Sequence, residues 1–258
     1  MTLFESAILG IVEGLTEFLP VSSTAHLVLA SEIMGIKQDS FTTAYEIIIQ
    51  VAPIFAVMLI FKDRLMQSMS LWVKLIVSFI PTGFVGLFFH DQIEALFSAN
   101  STVALMILTG LAFLAIEFVY KEKSHHISEL DDVSMKQAIY VGLFQILALI
   151  PGVSRSGTTI LGGMLVGLKR DVSMTFSFLL AIPTMGAASG YMLLKEYSAL
   201  HVEHFWVLLV GFIVSFIVGW ISIKGFLAIV SKYSFKPFGV YLVVAGLLFG
   251  LFGIELNS

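Results

Sequence analysis

Cysteine is absent from this chain, and charged residues are scarce. Without cysteine, the protein can form neither disulfide bonds nor thiolate metal sites. Only 12% of its 258 residues are charged, and the net charge of −4 offers no basic surface for nucleic acid. Apolar side chains make up 58% of the residues instead. This balance excludes an ordinary soluble domain and predicts an all-α polytopic membrane protein.

Six apolar stretches predict transmembrane helices. Each has about 18 to 23 residues, enough to cross about 30 Å of hydrocarbon. They cover residues 43–61, 72–90, 102–120, 172–194, 205–223 and 237–254. We expect His90 and Asp91, where the second stretch ends, to lie at the membrane interface.

Two further apolar stretches are interrupted and predict re-entrant helical hairpins. Residues 3–31 are broken by Pro20 and a polar cluster, and residues 137–168 are broken by PGVSRSGTT at 151–159. Neither half of either stretch is a comfortable span, so each predicts two short helices joined by a polar turn. Such backbone is tolerated at membrane depth only inside protein or beside a wet cavity.

The two interrupted stretches are similar, and three spans follow each of them. Glu13 aligns with Gln145, and Ser23 aligns with Arg155. Because three is odd, the second copy enters the membrane in the opposite direction, which predicts an inverted repeat with its site at the repeat interface near the midplane. Within one membrane domain, residues 1–258, the predicted parts are residues 1–120, a linker at 121–136, and residues 137–258.

Positive charges predict the orientation of the chain. With the N-terminus outside, eleven lysines and arginines flank the cytoplasmic ends of the spans, and only Lys37 and Lys195 lie outside. Arg155 stands apart in the second hairpin. We therefore expect both termini outside and the linker in the cytoplasm.

Acidic residues in the first hairpin predict a divalent cation site. Glu13 and Glu17 are four residues apart and share one helix face, and an unpaired ion costs at least about 2.5 kcal/mol at the bilayer midplane. Mg²⁺ or Ca²⁺ suits such oxygens, and Mg²⁺ often takes one or two carboxylates plus substrate phosphates. A wet cleft or protonated carboxyls are the alternatives. Glu46 and Gln50, on the next span, are candidates to line the same cavity.

The turn after Glu17 predicts a nucleophile. Pro20 ends the first short helix, and Ser22, Ser23 or Thr24 can cap the next one. His26 lies within one turn of Ser23, and a serine beside a histidine is typical of an activated nucleophile. A hydrogen-bonded core histidine is the alternative. A buried helix N-terminus also attracts anions, which makes Ser22 a candidate phosphate ligand.

The second hairpin predicts an anion clamp. Arg155 keeps its proton, and its planar guanidinium suits a phosphate. Ser154, Ser156 and Thr159 add hydroxyls at the start of a helix. Arg155 can also pair with an acid of the first hairpin, which does not exclude phosphate binding. Together the two hairpins predict phosphoryl transfer.

The rival interpretation is a transporter. Inverted repeats with broken helices are common in transporters, and a lipid-phosphate flippase would need the same anion clamp. A serine and a histidine beside two acids are more than translocation requires, so hydrolysis is favoured.

Two stretches resemble the undecaprenyl-diphosphatase, or bacitracin-resistance, family. They are GIVEGLTEFLPVSSTAHL at residues 10–27 and PGVSRSGTT at 151–159, and SFLLAIP at 177–183 fits as well. The resemblance covers essentially the whole chain. It implies six spans, paired re-entrant hairpins, and hydrolysis of undecaprenyl diphosphate with Mg²⁺ or Ca²⁺ at the outer face of the bacterial plasma membrane. That reaction recycles the lipid carrier of cell-wall synthesis.

The resemblance also implies roles for individual residues. Glu13 and Glu17 would serve the metal and the diphosphate, and Ser23 and His26 would be the nucleophile and the general acid or base. The phosphates would be bound by Ser154, Arg155 and Thr159. The sequence leaves open whether Ser23 or a water attacks phosphorus, and whether the protein is a homo-oligomer.

Overall fold

The computed structural model describes residues 1–89, 92–93, 99–196, 202–230 and 234–251. Over these residues the chain forms eleven α-helices and no β-strand, which confirms the all-α prediction. The helices are α1 Leu3–Thr16, α2 Ser23–Ile33, α3 Ser40–Ile60, α4 Lys62–Gln67, α5 Met69–Phe88, α6 Ala99–Val119, α7 Met135–Gln145, α8 Arg155–Leu165, α9 Arg170–Glu196, α10 Phe205–Val230 and α11 Lys236–Leu251.

The predicted spans correspond to α3, α5, α6, α9, α10 and α11. The first five of these are long and apolar enough to cross a membrane, whereas α11 is a shorter apolar helix of 16 described residues. The chain is therefore a multi-pass membrane protein. His90, Asp91 and the predicted end of the sixth span lie outside the described residues. The apolar pattern did not predict α4, because that helix carries mostly polar residues.

The two interrupted stretches each form a pair of short helices, α1 with α2 and α7 with α8. With 14 residues, α1 is the longest of the four. At 1.5 Å per residue it reaches about 21 Å, which is short of the hydrocarbon thickness of about 30 Å. We call α1 and α2 the first hairpin, and α7 and α8 the second hairpin. Their lengths fit helices that turn back inside the membrane.

The hairpins pack in a reciprocal arrangement. Helix α1 of the first hairpin packs along α10, and α7 of the second hairpin packs along α5. Matching spans also pair, α3 with α9 and α6 with α11. Each hairpin thus lies on the second span that follows the other one, as an internal two-fold repeat requires. The exact division at residues 1–120 and 137–258 stays a prediction.

Glycines allow the hairpins to approach these spans closely. A Cβ on Gly14 would lie 2.7 Å from the carbonyl oxygen of Ser215 on α10, and one on Gly142 would lie 2.0 Å from that of Ser78 on α5. Both distances are shorter than a carbon and an oxygen tolerate. Helix backbones therefore meet at both contacts, which fixes the depth of each hairpin.

The predicted cytoplasmic loops lie together at one end of the molecule. Arg64 pairs with Asp131 of the linker at 3.2 Å, and Lys74 Nζ donates to the Asp131 carbonyl oxygen at 2.7 Å. At the other end, Ser6 near the start of α1 donates to the carbonyl oxygen of Val207. The first and second hairpins therefore enter the helix bundle from opposite ends.

Substitution of Gly142 by alanine tests the α7–α5 contact. The new methyl group would overlap Ser78, so we expect Gly142→Ala to lower the free energy of unfolding by about 1–3 kcal/mol. Gly186→Ala in α9 is the control, because a Cβ there has no heavy atom within 4 Å. Thermal unfolding in detergent measures both variants. Equal melting temperatures for the two would contradict the close contact.

Candidate active site

The tips of the two hairpins meet inside the bundle. Ser156 Oγ donates to the Leu19 carbonyl oxygen at 3.0 Å, and the Arg155 guanidinium lies 5.3 Å from the centre of the Phe18 ring. Arg155 Nη2 also donates to Glu17 Oε1 at 2.9 Å. These contacts join residues that are far apart in sequence, at the position where an inverted repeat predicts a site.

The tip of the second hairpin is shaped by a glycine and a cap. Gly152 has φ +83°, and a Cβ there would lie 2.3 Å from the Thr102 carbonyl oxygen, so a side chain is excluded on both grounds. Ser154 then caps α8, because its Oγ accepts the Gly157 N–H at 3.1 Å. This cap places Arg155 at the first position of the helix.

The tip of the first hairpin differs. Ser22 occupies the N-cap position of α2, but its side chain makes no capping hydrogen bond. Its φ of 66° is in the left-handed region, which residues other than glycine seldom adopt. Such strained residues cluster at functional sites.

Glu17 binds both hairpin tips. Its Oε1 forms the ion pair with Arg155, and its Oε2 accepts the Ser23 hydroxyl at 2.6 Å. The Glu17 side chain is 5% exposed and that of Arg155 is 14% exposed, so the pair is nearly dry. Of the two acids that Arg155 could have paired with, Glu17 is the partner. Ser23 and Arg155 are aligned positions, so one carboxylate joins equivalent points of the two hairpins.

The rest of the Arg155 side chain is held by α9. Nη1 donates to the Ser177 carbonyl oxygen at 3.1 Å, and Nη2 lies 3.4 Å from Met185 Sδ. Within the described protein, the buried Nε has no hydrogen-bond partner. The guanidinium is therefore fixed in place, and its Nε–H is left to donate a hydrogen bond to a ligand oxygen.

Glu13 lies fully buried, one helical turn before Glu17. Neither carboxylate oxygen of Glu13 finds an N–H or hydroxyl donor among the described residues. The charged groups that act on it are Glu17, Glu46 and Arg155, and the Glu17 carboxylate lies within hydrogen-bonding reach, a contact that needs a shared proton. A buried carboxylate without a partner costs several kcal/mol, so Glu13 requires a proton or a cation.

Gln145, which aligns with Glu13, is uncharged and has hydrogen-bond partners for its side chain. It is fully buried, its Nε2 donates to Thr82 Oγ1 at 3.1 Å, and its Oε1 accepts Thr184 Oγ1 at 3.2 Å. The second hairpin is therefore neutral and hydrogen-bonded where the first carries an unsatisfied acid. Any cation site of this kind belongs to the first hairpin.

Glu46 acts electrostatically on Glu13 and is also bonded to a residue at the protein surface. Its Oε1 accepts Ser31 Oγ at 3.2 Å and Gln38 Nε2 at 3.4 Å, and Gln38 is exposed. Polar groups therefore lead from the end of the molecule that carries the N-terminus towards Glu13. Gln50 is half-buried and makes no hydrogen bond to the described part of the chain.

His26 does not pair with Ser23. Its Nδ1 lies 2.8 Å from the Ser22 carbonyl oxygen, and its Nε2 lies 2.5 Å from the hydroxyl of Tyr241 on α11. The spacing of three residues correctly placed the two side chains on one turn. The pairing expected from it was wrong, because Ser23 has Glu17 as its acceptor and His26 has two partners of its own.

The candidate phosphate-binding hydroxyls of the second hairpin are engaged within the protein. Ser154 caps α8, Ser156 bonds the first hairpin, and Thr159 Oγ1 lies 2.6 Å from Ser177 Oγ. All three are buried. They shape the Arg155 site in this structure, and their roles as phosphate ligands stay predictions.

Comparison with known proteins identifies the family. The family model described as bacitracin resistance protein BacA matches residues 6–248, a range that includes the tips of both hairpins. The chain belongs to the BacA family. It is 48% identical to a Wolinella succinogenes protein over 256 residues, covering 99% of this chain and 100% of the relative. A Methanococcus aeolicus protein is 44% identical over 255 residues, which again cover 99% of this chain and 100% of the relative. Both relatives are named undecaprenyl-diphosphatase.

Some BacA site contacts had weak signals in the sequence. Ser177, which holds Arg155, begins the SFLLAIP stretch and was noted there only as part of a resemblance. Met185 and Tyr241 had no signal at all, because a methionine or tyrosine in an apolar helix is ordinary. Only the packing of α9 and α11 against the hairpins gives these residues a role.

Removal of Arg155 tests the ion pair. Arg155→Met leaves Glu17 buried with its charge uncompensated, so we expect a loss of about 3–5 kcal/mol in unfolding free energy. Glu17→Gln in the same chain should restore most of that stability without restoring activity. Denaturation in detergent measures both. The exposed pair of Arg64 and Asp131 is the control, and Arg64→Ala should cost less than about 1 kcal/mol. Equal costs for Arg155→Met and Arg64→Ala would refute a buried pair.

Proposed function

We propose that this chain hydrolyses undecaprenyl diphosphate to undecaprenyl phosphate and inorganic phosphate. One observation carries the proposal. The oxygens of Glu13 and the Nε of Arg155 are buried without partners beside the same ion pair. A diphosphate with its cation would supply an acceptor for the Arg155 Nε and positive charge beside Glu13. The name shared by the relatives supports the same reaction.

The donor set fits a divalent cation, Mg²⁺ or Ca²⁺. Within the described residues, no three His, Asp or Glu side chains are grouped closely enough to hold a metal ion alone. Neither oxygen of Glu13 has an N–H or hydroxyl donor among the described residues, while Glu17 binds Ser23 with one oxygen and Arg155 with the other. Glu13 would thus be the main protein ligand, with Glu17 beside it and substrate phosphates completing the shell, as is common for Mg²⁺. The ion would neutralise charge on the phosphates.

The nucleophile side of the site consists of Ser23 and Glu17. In the proposed step Ser23 Oγ attacks the terminal phosphorus, and its proton passes to Glu17 Oε2, which already accepts a hydrogen bond from this hydroxyl at an O–O distance of 2.6 Å. The bond from that phosphorus to the bridging oxygen breaks, and its electron pair leaves with undecaprenyl phosphate. Water then hydrolyses the phosphoserine. A water held in the place of Ser23 Oγ would give the same products in one step.

Arg155 holds the phosphate during this reaction. Its Nη atoms are anchored by Glu17 and Ser177, so the guanidinium does not need to be ordered when the substrate binds. A rigid donor that faces developing charge is worth more than a mobile one. His26 would exchange a proton on the side of the site away from Glu17.

We also place the reaction at the outer face of the bacterial plasma membrane. The polar groups that lead to Glu13 end at Gln38, on the end of the molecule opposite to the positively charged loops. The positive-inside rule makes that end the outer one. Hydrolysis there would recycle the lipid carrier for cell-wall synthesis and would confer bacitracin resistance.

Phosphate release from undecaprenyl diphosphate in detergent tests the proposal. We expect release in Mg²⁺ or Ca²⁺, and its loss in EDTA. Glu13→Gln should raise the metal concentration needed for half-maximal activity by at least roughly tenfold. Binding of the lipid without any phosphate release would contradict hydrolysis and would favour the flippase. Full activity in EDTA would contradict the proposed dependence on a divalent cation.

Ser23→Ala separates the two routes of attack. If Ser23 is the nucleophile, activity should fall about 10³-fold or more, and acid-quenched wild-type protein should contain phosphoserine at position 23. Thr24→Ala is the matched control, since Thr24 is the adjacent hydroxyl and is exposed. Full activity of Ser23→Ala would assign the attack to water.

A further inference from the structure

Tyr241 lies outside every motif of the sequence, yet it contacts the site. It belongs to α11, and its hydroxyl is 2.5 Å from His26 Nε2. The two rings are nearly parallel, at 13°, with centroids 5.6 Å apart. A hydrogen bond and a stacked ring together determine both the position and the plane of the imidazole.

The partners of His26 also determine its tautomer. The Ser22 carbonyl oxygen can only accept a hydrogen bond, so Nδ1, at 2.8 Å, carries a proton. In the neutral imidazole the lone pair is then on Nε2, and Tyr241 donates its hydroxyl proton to it. The Ser22 carbonyl is placed by a backbone in the left-handed conformation. Both ring nitrogens of His26 are therefore hydrogen-bonded, Nδ1 to a residue of the first half of the molecule and Nε2 to a residue of the second half.

The bonding divides the site into two sides. Glu17 accepts a hydrogen bond from the Ser23 hydroxyl, whereas His26 Nε2 faces the Tyr241 hydroxyl. Tyr241 is 45% exposed on the outside of the helix bundle, where the membrane would be. An isoprenoid chain has to reach the site from the apolar membrane. The lipid-bearing leaving group would therefore lie on the His26 side of the site.

We propose that Tyr241 is a positioning residue that acts through His26 on the leaving-group side of the site. This inference rests on the proposed function. Tyr241 holds the imidazole in the tautomer whose Nε2 can take up one proton and return it. Phenylalanine at this position would keep the stacked ring and remove only the donor.

The first test is spectroscopic and needs no substrate. We expect the ¹⁵N spectrum of wild-type protein to show His26 protonated at Nδ1, with a hydrogen-bonded Nε2, the signals being assigned from their loss in His26→Ala. In Tyr241→Phe the Nε2 signal should move to the position of an imidazole without a donor. An unchanged Nε2 signal would overturn the proposal, whether or not phosphate release is observed.

The second test is kinetic. Loss of one hydrogen bond should lower kcat of Tyr241→Phe roughly tenfold while KM stays within about twofold. Phe249→Leu is the packing control, because Phe249 touches the same imidazole only edge-on, at 6.3 Å and 74°. It should retain near wild-type kcat. An equal loss of kcat in both variants would assign the effect to packing and overturn the proposal.

A double variant shows whether Tyr241 acts through His26. If it does, His26→Ala with Tyr241→Phe should be no slower than His26→Ala alone, since residues that act as a unit are not additive. Losses that multiply would show an independent role for Tyr241 and contradict the proposal. Absence of all activity in wild-type protein would refute the proposed function and leave the spectroscopic test of Tyr241 intact.

Discussion

The Glu17 carboxylate is the contact on which the site depends. One oxygen binds Arg155 and the other binds Ser23, so a single side chain joins the tips of two hairpins that enter from opposite ends. A buried ion pair is weak evidence for stability, because desolvation offsets most of its attraction. The contribution of this pair here is to position side chains. It holds the Arg155 guanidinium and the Ser23 hydroxyl on the two oxygens of one carboxylate, in a nearly dry interior where electrostatic interactions are strong.

The helix bundle makes this contact possible and also makes it asymmetric. Gly14 and Gly142 bring each hairpin against a span that follows the other, so both tips reach the same depth. The chemistry then differs between the copies. Glu13 is an unsatisfied acid where Gln145 is a satisfied amide. A symmetric scaffold has thus produced one site with an unsatisfied acid on one side and an arginine on the other, a division that suits transfer of a charged phosphoryl group.

Much of this architecture was predictable from the sequence, and the directions of the side chains were not. Span length and the polar interruptions determine where helices run and break, so hairpins and spans were predicted close to their observed bounds, although α1 ends at Thr16, four residues before the predicted break at Pro20. The spacing of Glu13 and Glu17 predicted that both lie on one helix face. Which of the two forms the ion pair with Arg155 depends on how the hairpin tips pack, and the partner is Glu17. The pairing of Ser23 with His26 failed because proximity along a helix does not set direction. That direction depends on Tyr241, which is 215 residues away from His26.

The most direct test of this account is the distance between Arg155 and the phosphorus of a bound ligand. Solid-state NMR of arginine-labelled protein with a non-hydrolysable undecaprenyl diphosphonate would measure ¹⁵N–³¹P dipolar coupling, and the chain has only Arg64 and Arg170 besides Arg155. If Arg155 binds the phosphate, we expect coupling at an N–P distance of about 4 Å, as hydrogen-bonded guanidinium and phosphate groups require, and its loss in Arg155→Lys. Bound ligand without coupling to Arg155 would contradict a phosphate site at the hairpin tips.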